Sequence, residues 1–265
     1  VQECGLPEGV FSLLYGADYE VGQELVKHPA IKAVGFTGSK KSGLALCEIA
    51  RTRPEPIPVF AEMSSLNPIF ILPEALQQKG HEIAEGLFTS VTLGSGQFCT
   101  KPGLVFAQNS AELEFMLHKI SSLFQTAQTF TLLTPTLQKA YSQAINAQNI
   151  TENTCQVQAH FHQTTCNSFL TQAEFQEEIF GPSSLFVTYS EHTELLQIAD
   201  HLQGQLTATV FGTTKDIENN LDLINILKEK AGRVIFNDFP TGVEVNHAIV
   251  HGGPYPSTSD YRSTS

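Results

Sequence analysis

Basic residues are scarce in this sequence. Fifteen lysines and arginines stand against 27 aspartates and glutamates, a net charge of −12 with histidine neutral. Only Arg51, Arg53, Arg233 and Arg262 are arginine. Without a basic stripe to neutralise phosphates, no nucleic-acid partner is expected. Long apolar runs are missing too. Nothing approaches the roughly 20 consecutive apolar residues of a membrane span, and the first residues lack the basic-then-apolar pattern of a secretory leader. No membrane partner is expected. Cysteine is sparse: five, an odd number in 265 residues, do not make a disulfide framework, which implies a reducing, cytoplasmic setting. No methionine opens the chain and a polar stretch, Ser257 to Ser265, closes it. A piece of a longer protein is expected.

What is present is an ordinary globular composition, 41% apolar and 16% charged, long enough for one large domain or parts of two. One stretch stands out: Leu93-Gly94-Ser95-Gly96-Gln97-Phe98-Cys99-Thr100-Lys101-Pro102-Gly103. It sets a cysteine among glycines, small polar residues and a lysine, with little core to pack against. Glycine lets a backbone approach a ligand closely. Lys101 and free backbone N–H groups would favour the thiolate, the reactive form. Cys99 reads as a nucleophile.

The rest alternates strands and helices. Strands are expected at 10–15, 31–36, 58–63, 68–72, 104–107, 184–189, 207–211 and 233–237. Helices are expected at 19–28, 44–50, 75–93, 113–124, 136–147, 191–203 and 215–230, the last stopping at Gly232. That alternation predicts an α/β fold with largely parallel sheet. Thr37-Gly38-Ser39-Lys40-Lys41-Ser42-Gly43 is either an ordinary strand-to-helix turn or a diphosphate seat built on free amides and a positive helix end. It is neither a P-loop nor GxGxxG. Glu62 ends a strand, either in solvent or half-buried at a sheet edge and suited to general-base work. Residues 126–170 are poorly patterned. Within them Cys155, His160, His162 and Cys166 match no familiar zinc spacing, and a surface loop without metal is expected. Cys4 and Cys47 are expected to be buried or inert.

Taken in order, Phe36-Thr37-Gly38-Ser39 with Gly43, then Glu62, then Gly96-Gln97-Phe98-Cys99, then Glu178-Ile179-Phe180-Gly181-Pro182 resemble the motif series of the aldehyde dehydrogenase superfamily, through nearly the whole chain. Ala61-Glu62-Met63-Ser64-Ser65-Leu66-Asn67-Pro68, Phe239-Pro240-Thr241-Gly242-Val243-Glu244-Val245 and His251-Gly252-Gly253-Pro254-Tyr255-Pro256 are similar to the α-ketoglutaric semialdehyde (2,5-dioxovalerate) dehydrogenases. Long-chain fatty aldehyde dehydrogenases share similar motifs. The resemblance implies an aldehyde-dehydrogenase-like α/β fold, with residues 1–67 the C-terminal part of a Rossmann-type NAD(P)-binding domain and 68–265 a catalytic, thiol-bearing domain. It implies NADP or NAD as cofactor, and a small-molecule aldehyde oxidised to a carboxylic acid, 2,5-dioxopentanoate giving 2-oxoglutarate. It also implies a homo-oligomer in the full-length parent.

Residue by residue, the resemblance makes Cys99 the attacking thiol and Glu62 the general base. Gly38, Ser39 and Gly43 match the diphosphate-proximal turn, Glu178 the glutamate that holds the nicotinamide ribose, and Phe180 the ring near the nicotinamide. Departures accompany it. The family's oxyanion asparagine and adenosine-ribose lysine fall upstream of residue 1, and its C-terminal oligomerisation strand falls after Ser265. The interval from Cys99 to Glu178, 178 − 99 = 79 residues, is short, which places a deletion within 126–170. The alternatives are a non-catalytic scaffold and a relative that passes its acyl group to coenzyme A; an intact Glu62 disfavours the latter. No arginine sits in the motifs to meet a keto-acid carboxylate.

Overall fold

The computed structural model describes residues 3–16, 18–147, 154–242, 247, 249–260 and 262. Up to the long third helix the chain runs α1 (Glu20–Lys27), β1 (Val34–Thr37), α2 (Lys40–Arg51), β2 (Val59–Glu62), β3 (Ile69–Ile71) and α3 (Pro73–Thr92). Next come β4 (Leu104–Gln108), α4 (Ala111–Thr126), β5 (Phe130–Thr131), α5 (Pro135–Ala144), β6 (Gln156–Val157), β7 (His160–Thr165) and α6 (Cys166–Thr171). The last elements are β8 (Ser183–Tyr189), α7 (His192–His201), β9 (Gln205–Phe211), α8 (Thr214–Asn219), α9 (Leu221–Lys230) and β10 (Ala231–Phe236).

Six strands form one sheet in the order β10-β9-β3-β4-β8-β7, with every neighbouring pair parallel. A parallel sheet is covered on both faces, so its central strands are buried throughout rather than alternating; every residue of β3 and β9 is buried. Phe70, Phe106, Val187 and Val210 pack with α6, α7 and α9 on one side. Ile69, Ile71, Val105 and Phe186 pack with α3 and α4 on the other. Phe106 stacks on Phe70 at 4.9 Å between ring centroids and meets Phe169 edge-on. A separate parallel pair, β1 with β2, carries α2. No helix among the described residues is long and apolar enough to cross a membrane. The α/β class with a mostly parallel sheet is what the alternation predicted.

Several local expectations are corrected. Residues 10–15 form no strand: among the described residues they ladder to no other strand, and Phe11 and Tyr15 are 67% and 87% exposed. A short apolar run carries no register of its own. Helix α2 starts at Lys40, four residues early, because Ser39 caps it by accepting from the N–H of Ser42 at 3.2 Å. The helix expected over 215–230 breaks at Asn220, whose amide donates back to the Asp216 carbonyl at 2.7 Å. Gly232 does not stop α9 but lies inside β10, where a Cβ would run into the Gly252 carbonyl. Residues 160–165 are not a surface loop but edge strand β7, laddered to β8. Of its six residues only Phe161 is apolar, so no alternation announces it. Cys166 is buried at the start of α6, and Cys4 is exposed. The rings of His160 and His162 stack at 6.4 Å, but they join no three-ligand cluster with Cys155 or Cys166.

Candidate active site

Glu62 ends β2, whereas Asn67, the Cys99 loop, Gln205 and Arg233 lie at or near the amino ends of β3, β4, β9 and β10. The site therefore forms where one strand's carboxyl end meets the larger sheet's amino edge. Helix α3 returns the chain to that edge. Its first turn is capped from α8, where the Asp216 carboxylate accepts from the N–H groups of Glu74 and Ala75 at 3.1 and 2.9 Å. Past Thr92 the backbone turns through Gly94, Ser95 and Gly96 at φ 57°, 60° and 68°. Gly96 has a second reason to lack a Cβ: one would collide with the backbone of Gly181 and Pro182.

Asn67 holds this loop from below. It is fully buried at φ 47°, and its Nδ2 donates to the carbonyls of Cys99 and Lys101 at 2.9 and 3.0 Å. Its Oδ1 accepts from the hydroxyls of Ser65 and Thr207 at 2.9 and 3.0 Å. Gln205 fixes the approach, accepting from the N–H groups of Leu66 and Asn67 at 2.7 and 3.2 Å. Lys101 is not the cation beside the thiol, as the sequence suggested. Its buried Nζ donates to the carbonyls of Ile179 and Ser183, both at 3.0 Å. Burial pulls its pKa down to about 8, against an opposing pull from Glu178. It ties the Cys99 loop to the 178–183 segment.

Cys99 is half-buried, with Sγ 3.0 Å from Nε2 of His251. That nitrogen lies 3.2 Å from Oε1 of Glu62, which is itself buried. His251 is delivered by a run laid antiparallel along β2. Met63 donates to the Ser257 carbonyl at 2.7 Å, Ser259 donates to the Ala61 carbonyl at 2.9 Å, and Thr258 bridges Glu62. Hydrogen bonds to Cys99 and then to Glu62 push the pKa of His251 up to about 10, against its burial. Behind the ring, Nη2 of Arg233 stands 3.4 Å from Nδ1. Burial lowers the pKa of Arg233, while Cys99 and Glu62 act in the other direction. By donor type and spacing, within 4.8 Å of one another, the three side chains suit a zinc ion. The far side of the ring favours acid–base work instead. A metal-bound imidazole donates its other N–H to an acceptor, and a guanidinium only donates.

The expected cofactor residues gather at a neighbouring corner. Gly38 donates to the Glu62 carbonyl at 3.1 Å and Gly43 donates within the helix to Ser39 at 3.0 Å. Lys40 donates its N–H to Ser64 Oγ at 3.2 Å. Amides expected to be free are thus in use. A Cβ at Gly38 would meet the Phe36 ring at 2.7 Å, and one at Gly43 would meet the Met63 side chain at 2.6 Å. Glu178 reaches this corner too. Burial raises its pKa against the influence of Lys101 and a hydrogen bond with Ser64. Phe180, partly buried, follows two residues later. The structure brings together Cys99 with Glu62, and Glu178 with the amino end of α2. His251, Arg233, Asn67 and Gln205 received no role in the sequence reading. The only signal for His251 was its place in the His-Gly-Gly-Pro stretch, and Arg233 lay in no motif. Residues 243–245 of the Phe239–Val245 motif lie outside the described residues.

The model of the aldehyde dehydrogenase family matches residues 1–262. Alpha-ketoglutaric semialdehyde dehydrogenase of Acinetobacter baylyi is 41% identical over 278 aligned residues, covering 100% of this chain and 52% of that protein. Alpha-ketoglutaric semialdehyde dehydrogenase 2 of Azospirillum brasilense is also 41% identical, over 100% of this chain and 53% of its own length. A structure of 1-pyrroline-5-carboxylate dehydrogenase from Thermus with bound NAD shares the fold. It superposes with a TM-score of 0.79 at 21% identity, covering 99% of this chain and 53% of that one. The chain spans about half the length of the curated relatives it matches. It belongs to the aldehyde dehydrogenase family.

Proposed function

We propose that this chain carries the thiol site of an NAD(P)-dependent aldehyde dehydrogenase, with 2,5-dioxopentanoate as substrate and 2-oxoglutarate as product. The observation that carries the reading is the contact of Cys99 Sγ with His251 Nε2 at 3.0 Å, backed by Glu62 at 3.2 Å. The substrate is taken from the two relatives at 41% identity. His251 receives the thiol proton, and the imidazolium and Glu62 carboxylate share it. The thiolate adds to the carbonyl carbon, and the Cys99 N–H donates to the oxygen as charge develops on it. A bound nicotinamide cofactor supplies the hydride acceptor that leaves Cys99 as a thioester. Glu62 then takes a proton from water as that water attacks the thioester, releasing the acid and restoring the thiol.

In this reading β1 and β2 belong to a cofactor domain ending near residue 67, and residues 68–265 form the catalytic domain. Gly38, Ser39 and Gly43 at the amino end of α2 would hold the diphosphate, Glu178 the nicotinamide ribose, and Phe180 the nicotinamide ring. The donor set fits. A helix amino end suits phosphate, and the partly buried Glu178 carboxylate offers acceptors to sugar hydroxyls. With the Lys40 and Ser42 amides engaged, the phosphate contact rests on the helix end's field and nearby side chains. The whole protein acts in the cytoplasm as a homo-oligomer. The test follows reduced-nicotinamide absorbance with 2,5-dioxopentanoate and either NADP or NAD, and identifies 2-oxoglutarate by mass. Cofactor reduction lost in Cys99→Ser supports the reading; no reduction with either cofactor and any of a panel of aldehydes overturns it.

A further inference from the structure

The far side of His251, away from the thiol, gathers donors without an acceptor. Nη2 of Arg233 stands 3.4 Å from Nδ1 of the ring. In the proposed reaction Nε2 takes the Cys99 proton, so beforehand Nε2 is bare and Nδ1 carries the ring proton; in the imidazolium both nitrogens carry one. In either state an N–H faces a guanidinium, which has donors only and stays charged. Nε of Arg233 is sealed from solvent without a hydrogen-bond partner among the described residues, and no carboxylate among them pairs with the side chain. The other three arginines are committed elsewhere. Arg51 pairs with Glu48, Arg53 donates to the carbonyls of Val26 and Ile31, and Arg262 pairs with Asp260. Arg233 is thus a half-buried cation that has given up water without gaining an anion.

Such a corner suits a ligand bearing a carboxylate, whose two oxygens only accept. Thiol and guanidinium flank one imidazole: Sγ of Cys99 lies 3.0 Å from Nε2, and Nη2 of Arg233 lies 3.4 Å from Nδ1. With the ring nitrogens about 2.2 Å apart, sulfur and Nη2 are separated by at most about 9 Å. The aldehyde and carboxylate carbons of 2,5-dioxopentanoate are four C–C bonds apart, about 5 Å in an extended chain. An attack distance of about 3 Å at the sulfur and a hydrogen bond of about 3 Å at the guanidinium let that chain span the gap with slack. The ring between the two is open to a ligand: the His251 side chain is 21% exposed, and Cys99 is half-buried.

Taking the proposed oxidation at Cys99 as given, we infer that Arg233 is the residue that selects the substrate: it receives the distal carboxylate of the oxo acid, which also accepts from Nδ1–H of His251, while the aldehyde end stands at Cys99. An uncharged aldehyde of the same length leaves the guanidinium and the ring N–H without an acceptor, and is discriminated against on that account. The carboxylate that no motif arginine could meet is met by an arginine outside every motif, brought to the thiol by β10.

The test compares wild type, Arg233→Met and Arg233→Lys on 2,5-dioxopentanoate and on pentanal, its uncharged five-carbon counterpart. In Arg233→Met the ratio of kcat/KM for the oxo acid to kcat/KM for pentanal should fall about 100-fold, mostly through KM for the oxo acid. Arg233→Lys, which keeps the charge without the fork, should recover part of the ratio. An unchanged ratio in Arg233→Met, whatever happens to absolute activity, overturns the inference. A second measurement needs no turnover. Cys99 is alkylated with iodoacetamide in the presence of pentanoate or pentanamide, and its labelling is followed by peptide mass spectrometry. In wild type, pentanoate should protect Cys99 at a concentration at least about tenfold below that of pentanamide, and Arg233→Met should erase the difference. Equal protection by acid and amide in wild type overturns the inference even if neither variant folds. If no aldehyde reduces a cofactor while pentanoate still protects Cys99 through Arg233, the carboxylate site stands and it is the proposed reaction that fails.

Discussion

The centre of the six-stranded sheet and its amino edge are built by different physics. In the centre, β3, β4 and β9 are held by burial: apolar side chains on both faces meet helices, and any residue of similar size and polarity serves. At the edge, hydrogen bonds do the holding. Asn67 places two carbonyls of the Cys99 loop, Gln205 places two amides, Lys101 clamps two more carbonyls, and the 257–259 run is laid on β2 by backbone bonds. A core tolerates volume-conserving exchange, whereas a buried polar network has no near-equivalent substitute. The edge is where Cys99, His251 and Glu62 meet.

Five substitutions sharpen this contrast, and the largest effect is chemical. Cys99→Ser should lower aldehyde oxidation at least about 10³-fold while leaving the melting temperature in place; a matching loss of stability would make Cys99 a packing residue. Phe106→Ala, in the sheet centre, should cost about 3–5 kcal/mol in denaturant unfolding. Asn67→Ala, at the edge, should cost about 2–4 kcal/mol through the buried partners it leaves unsatisfied, and should scramble the selectivity of cysteine labelling as well. Phe106→Ala should not, and equal effects on labelling would erase the distinction between the two regions.

Lys101 gives a pH-dependent version of the same comparison. Its folded pKa, about 8, lies below the ordinary 10.5, so between those values the unfolded chain binds more protons than the folded one. Stability from this group therefore rises with pH across that window, by about 3 kcal/mol at roughly 1.4 kcal/mol per unit. Relative to Lys101→Met, wild type should gain stability from pH 8 to 10.5 in thermal melts. A flat difference would mean that Lys101 is not buried as a charge. The smallest effect belongs to the lateral edge of the sheet, at β7. Phe161→Ala in β7 should cost only about 1–2 kcal/mol, because the ring is partly exposed and the strand is held by its ladder to β8.

Legibility in the sequence follows the same division. The central strands and the faces of α3 and α4 were readable because burial writes period and composition into a chain. Strand β7 was not, since Phe161 is its only apolar residue. Glu62 and Cys99 were found through motifs, and the structure joins them through a residue the reading left without a role. His251 is brought to the thiol by a run of backbone pairing that has no hydrophobic signature. Arg233 lies in a strand whose other residues already accounted for its pattern. The glycines at the start of α2 carry two signals at once. Gly38 and Gly43, expected at a phosphate seat, also have a packing reason to lack a Cβ: one would meet the Phe36 ring at Gly38 and the Met63 side chain at Gly43.

The central claim, a covalent route through Cys99 relieved by Glu62, is tested most directly by trapping. Glu62→Gln is incubated with 2,5-dioxopentanoate and cofactor, quenched in acid and mapped by mass spectrometry. The account predicts an acyl adduct on Cys99, lighter by two hydrogens than simple aldehyde addition, that builds up in Glu62→Gln and is transient in wild type. An adduct on another cysteine, or none while cofactor is still reduced, would contradict it.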